Sequence, residues 1–172
     1  MDTAALIDRL ERFAGIVPAL AAGLSRRDAA WRPAEGGWSI VEIVAHLADE
    51  ETDDFRRRLE LTLRDSSAPW PPIDPEGWAV ERRYGERELE GEVKRFVAAR
   101  RESLRWLRGL KAPSWSAAHE HPKLGPMRAG DLLAAWSAHD ALHLRQIAKR
   151  LYQMTRRDAD DHEVAYAGSW SA

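Results

Sequence analysis

His139 and His143 lie four residues apart in the segment DLLAAWSAHDALHLRQIAKRLY. An i,i+4 spacing points two side chains the same way from one helix, a turn apart. Leu132, Trp136, His139, His143, Ile147 and Leu151 fall on one stripe, so the two imidazoles take places where a helical core ordinarily holds Leu or Ile. Two neutral imidazoles on one face can hold a divalent cation. Buried without partners they are costly, because each ring has a donor and an acceptor to satisfy. His46 offers a third imidazole on the edge of another apolar stripe, with Asp49, Glu50 and Asp53 following on an acidic one. If the two helices are neighbours, His46, His139 and His143 converge. Three nitrogen ligands then leave a position open for water or substrate, the catalytic and not the structural arrangement. Glu50 is the best-placed candidate for a catalytic base or an extra ligand. The competing reading is a bundle whose histidines are hydrogen-bonded within the core and bind nothing.

The remaining candidates read as structural. His119 and His121 fall in a polar loop and His162 in the tail, all as solvated surface residues. Asp140 points about 100° away from His139, as an interhelical ion-pair or capping partner. Gln146, three residues after His143, lines the site or faces solvent. The acids from Asp49 to Asp54 read mostly as a solvated, ion-paired face, and Trp136 as a wall of the site. The Arg26–Arg27, Arg56–Arg58 and Arg100–Arg101 clusters read as surface salt-bridge partners.

Composition removes other chemistries. The chain of 172 residues has no cysteine, so thiolate nucleophiles, disulfides and iron–sulfur clusters are excluded and any metal must be held by His, Asp or Glu. With 26 basic and 28 acidic residues the net charge is −2, against a nucleic-acid footprint. No serine-hydrolase elbow, P-loop or dinucleotide fingerprint is present. No apolar run approaches the roughly 18 residues of a membrane span. The opening MDTAALIDRLERF lacks the basic-then-apolar order of a signal peptide, so a cytoplasmic protein with no membrane partner is expected.

Four helical stretches position these residues. The first, Asp2 to Leu24, carries Leu6, Leu10, Phe13, Val17, Leu20 and Leu24 on one stripe, and Pro18 should kink or break it. The second starts at a capping box, Ser39 with Glu42, with Trp38 and Ile43 as a staple, and ends between Leu63 and Ser67. Asp53–Arg57, Asp54–Arg58 and Glu60–Arg64 are acid-before-base pairs along it. The third spans about Glu86 to Leu110 and the fourth about Ala129 to Tyr152. Between the second and third, SSAPWPPIDPEGWAVERRYG has four prolines, which should forbid a regular helix. Lys111 to Pro126 is a loop with room for a short hairpin. The expected architecture is all-α, a four-helix bundle in a single domain over residues 1–172, with its core at about 2–152, a long connection between helices two and three, and a loosely ordered tail over 153–172.

Three segments, GGWSIVEIVAHLADEE, PWPPIDPEGWA and AAWSAHDALHLRQIAKRL, resemble the DinB-like superfamily of small metal-binding four-helix bundles. The marks are W-S-x before a helix carrying one His, and H-D-x-x-H-x-x-Q-I on the last helix. The resemblance implies a crossover in the helix order, and His46, His139 and His143 as ligands of a divalent metal, commonly nickel or zinc. It also implies homodimers and relatives that act as thiol-dependent transferases or isomerases with low-molecular-weight thiols, several of them stress-induced. The family often caps the last helix with Thr, where Arg128 stands here. The residues alone do not select the metal, since imidazole suits zinc, nickel, copper and iron alike. The expected function is a metal-dependent S-transferase or hydrolase acting on a small electrophilic substrate; the alternative is a non-enzymatic metal-binding stress-response protein.

Overall fold

The structure is a computed structural model that describes residues 1–170. Four rods form the bundle. The first is α1 (Thr3–Ala21), followed by the single-turn α2 (Arg26–Ala29). The second is a composite of α3 (Ile40–Asp49), a π-helical turn (Glu50–Asp54) and α4 (Phe55–Arg64). A connection carrying the short α5 (Pro75–Glu81) leads to the third rod, α6 (Leu89–Gly109). A hairpin of β1 (Ala118–His121) and β2 (Gly125–Arg128), pairing Ala118 with Arg128, joins it to the fourth, α7 (Ala129–Asp158). No helix among the described residues is long and apolar enough to cross a membrane.

Side-chain pairs fix the helix directions. Arg108 meets Glu11 while Phe96 meets Phe13, so α6 runs antiparallel to α1. Arg95 reaches Asp49, Arg100 reaches Glu51 and Arg56 reaches Glu102, so the second and third rods are parallel neighbours. Trp136 meets Glu51 and Arg150 meets Trp38, which sets α7 antiparallel to the second rod. Parallel neighbours need a return along the whole bundle, and the connection over residues 65–88 supplies the expected crossover.

Local starts follow the sequence signals. Ser39 donates its backbone N–H to Glu42 Oε2 at 2.9 Å, closing the capping box, and Arg32 Nε neutralises the same oxygen at 2.8 Å. Arg128 does without the family's Thr. The carboxylate of Asp131 accepts its backbone N–H at 3.0 Å and grips its guanidinium, so α7 begins where expected. The expected break at Pro18 does not occur. The proline sits in the last turn of α1, where the helix ends in any case, and its carbonyl accepts from Ala22 N–H at 3.0 Å. The four prolines do not forbid a helix either: Pro75 takes the first position of α5, where no backbone donor is needed, behind the cap Asp74. Of the three acid–base pairs, Asp54–Arg58 forms at 2.8 Å, whereas Asp53 turns to Arg82 at 2.7 Å. Helix α7 runs six residues past Tyr152 into the expected tail, and Trp170 packs at 5.7 Å from Tyr152; residues 171–172 lie outside the described ones.

The core has two apolar groups along the bundle axis. One holds Phe13, Ile43, Leu47, Phe96 and Ile147, the other Leu10, Leu59, Leu104, Leu133 and Trp136. The guanidinium of Arg100 lies where they meet, 5.0 Å over the Phe96 ring and 5.8 Å over Trp136.

Candidate metal centre

The second rod and α7 bring the three histidines together. His139 Nε2 lies 3.0 Å from His143 Nε2 and 3.4 Å from His46 Nε2. Ligand atoms of the three rings all fall within 4.8 Å of one another, and Glu50 is not part of that set. His46 is 4% exposed and the other two rings are half-buried, so the cluster opens on one side. The ring of Phe55 lies 5.0 Å from His139 and that of Trp38 lies 4.8 Å from His46. Trp136, expected as a wall, sits one layer deeper. It stacks on Phe55 at 5.9 Å and donates its indole N–H to Glu51 at 2.8 Å.

The donor set fits a divalent metal. A tetrahedral cation about 2.0–2.1 Å from each nitrogen sets its ligands about 3.3 Å apart, close to the 3.0 and 3.4 Å that separate His139 Nε2 from its two neighbours. Burial pushes all three rings toward neutrality; neighbouring imidazoles add to it for His46, lowered to about 3, and His139, lowered to about 2, while His143 falls through burial against the opposing bond to Gln146. Neutral imidazole is the ligating form. The same shifts set the sign of a pH effect. Below an ordinary value of 6.5 the unfolded chain takes up protons that the buried rings refuse. These three groups therefore remove stability from the metal-free protein as pH falls below about 6.5. Urea denaturation at pH 7.5 and pH 5 should show a smaller loss for His139→Leu than for the parent chain.

The π-helical turn shapes the second rod around the site. Consecutive acids of a straight α-helix spread around its axis, so some would face solvent. Here Asp49, Glu50, Glu51 and Asp54 are all buried, which corrects the expectation of a solvated acidic face. Asp49 accepts from the Tyr84 hydroxyl, from Arg95 and from Arg82 Nη1 at 2.5 Å. Burial alone would raise its carboxyl, but those partners outweigh it and hold it below the usual range. Glu51 accepts from Arg100 Nε at 2.7 Å, and Arg100 also forks onto Asp140 at 2.7 and 2.8 Å. Glu50 faces His46 Nδ1, with Oε1 at 3.6 Å, on the ring edge turned away from the Nε2 cluster. Burial first, and then Asp54, raises Glu50 to about 9.

Asp140 is thus an interhelical ion-pair partner, as expected, and Gln146 lines the site with Oε1 at 2.8 Å from His143 Nδ1. His119 stacks on Trp70 at 4.2 Å and meets the Ser66 carbonyl, and His121 Nδ1 accepts from Lys123 and Leu124 N–H, so both serve the hairpin. His162 is exposed beside Asp161. Arg100 is the residue that sequence reasoning missed. The Arg100–Arg101 pair reads as surface from the sequence, yet Arg100 is fully buried. Its place in the series Phe96, Arg100, Leu104, Leu107 was the available signal.

A crossover bundle with three converging imidazoles between its second and last rods defines a class of small four-helix proteins with a metal-ligating centre. The chain belongs to the DinB superfamily, which it matches over residues 9–147. Two proteins of Oceanobacillus iheyensis, each named as a candidate metal-dependent hydrolase, are similar to it. OB0782 is 25% identical over 112 residues, 65% of this chain and 64% of its own length; OB0413 is 40% identical over 47 residues, 27% of each. The matched stretch thus spans less than two thirds of either relative. Among solved structures, YfiT of Bacillus subtilis, described as a candidate metal-dependent hydrolase with an unusual four-helix bundle topology, shares the fold. Its TM-score is 0.79 at 18% identity, over 89% of this chain and 87% of that one.

Proposed function

We propose that this chain is a divalent-metal-dependent enzyme, a hydrolase or a thiol-dependent S-transferase, acting on a small electrophilic substrate. The observation that carries this reading is the convergence of three neutral Nε2 atoms on one point beside a half-open face. His46, His139 and His143 would hold the ion, zinc or nickel first and iron after them. When bound there, such an ion lowers the pKa of a water or thiol in its open position and makes it nucleophilic near neutral pH. The chain's own part is to bind and orient. Three imidazoles leave room for one more ligand, Phe55 and Trp38 narrow the approach, and Gln146 fixes the His143 ring. The names of the Oceanobacillus relatives support hydrolysis. The absence of cysteine supports the thiol form in one respect, because a nucleophilic sulfur has to come from outside the chain.

The test is turnover of small electrophiles, esters and alkyl or aryl halides, by the zinc- and nickel-loaded protein, with and without low-molecular-weight thiols. Activity that requires the metal and disappears in His139→Ala is the expected result. Metal binding with no turnover under either condition would instead favour the alternative of a non-enzymatic metal-binding protein. Size-exclusion chromatography checks the homodimer that the resemblance implies.

A further inference from the structure

We infer that Glu50 and Gln146 are positioning residues that hold His46 and His143 with Nδ1 protonated and Nε2 facing the ion site. The inference rests on the reading that the three histidines bind a metal, and it assigns Glu50 a role behind a ligand instead of at the reacting atoms. An imidazole that ligates through Nε2 carries its proton on Nδ1, and that N–H needs an acceptor. His46 Nδ1 is buried and has no hydrogen-bond partner, and Glu50 Oε1 is a second buried atom with none. They lie 3.6 Å apart, a few tenths of an ångström beyond a hydrogen bond, and face each other across one turn. His143 Nδ1 has Gln146 Oε1 at 2.8 Å. Both partners follow their histidine by about one turn of its own rod, so each imidazole is braced from its own helix.

Three features make the arrangement specific. The π-helical turn begins at Glu50, and it is the local irregularity that leaves Glu50 and Glu51 both facing inward. The carbonyl oxygen of Glu50 accepts whether or not the group is ionised, so orientation requires no charge there. His139 has no comparable partner among the described residues and is packed against Phe55. With its two neighbours pinned as Nδ1–H tautomers, His139 is the ring left to carry a proton on Nε2 and donate it across the 3.0 or 3.4 Å gaps. The metal-free cluster thereby avoids three bare lone pairs facing one another.

Two measurements on the full chain test this. Long-range nitrogen-15 NMR of the metal-free protein should show Nδ1–H tautomers for His46 and His143 and Nε2–H for His139. Gln146→Ala should release His143 from its tautomer, and Gln146→Glu, which can only accept, should retain it. Titration with Co²⁺, followed by its visible absorption, should give a Kd raised about 10- to 100-fold in Glu50→Ala and in Gln146→Ala. Glu50→Gln should stay near the parent Kd, with an unchanged spectrum. Parent affinity in both alanine variants overturns the inference, as does a His143 that carries its proton on Nε2. A Glu50→Gln variant as weak as Glu50→Ala, with a spectrum of altered coordination, would make Glu50 a ligand and overturns it too. Should Glu50→Ala fail to fold, the His46 tautomer of the parent chain decides the Glu50 half, and a proton on His46 Nε2 overturns it, while Gln146→Ala decides the other. If the parent chain takes up no Co²⁺, the metal reading fails; if it binds and the variants match it, only the positioning role fails.

Discussion

Arg100→Ala should lower stability by about 3–5 kcal/mol, because it leaves Glu51 and Asp140 buried and unpaired. The three side chains are at most 5% exposed, and the guanidinium makes four bonds, to Glu51, to both oxygens of Asp140 and to the Leu10 carbonyl at 2.9 Å. Without it two carboxylates share one buried volume. A loss of that size in a chain of this length moves Tm by about 6–20 °C. The network is not itself a net source of stability, since desolvating its three charges offsets much of their attraction. The triple change Arg100→Met, Glu51→Gln, Asp140→Leu, which removes the charges and keeps an acceptor for the Trp136 indole N–H, should therefore recover much of the lost Tm. Calorimetry of the two variants beside the parent checks both halves; a fully stable Arg100→Ala would show that the cluster is wet or loosely held.

His139→Ala should reduce metal affinity about 100-fold or more, beyond the 10- to 100-fold typical of losing an outer partner. His139 is the ring within hydrogen-bond distance of both others, so its removal leaves two donors on separate rods. His121→Ala, in the hairpin, should bind like the parent. Elemental analysis of protein prepared without a nickel resin, followed by competition with a chelator, measures this. Equal metal content in parent and His139→Ala would refute the three-histidine centre.

Much of the site was legible because its residues break a pattern. His139 and His143 stand in an apolar stripe, and the Ser39–Glu42 box marks the start of the helix that carries His46. What supports the site was less legible. The acids from Asp49 to Asp54 read as surface because nothing nearby in sequence neutralises most of them; Arg82, Tyr84, Arg95 and Arg100 arrive from other segments. The π-helical turn is equally silent, since EETDD holds no Gly or Pro to mark an irregularity. Its wide geometry comes from tertiary partners on several sides, which no local propensity records. Pro75 misled for the opposite reason: a helix breaker in an interior position is a helix starter at the first.

Running the second and third rods the same way has a kinetic side. His46 and His139 are 93 residues apart, with the crossover, the third rod and the hairpin between them. No early, short-range collapse can join them, because closing so long a loop costs chain entropy before any contact repays it. The ion site forms only once the second rod and α7 have met, so metal uptake during refolding would report that long-range docking.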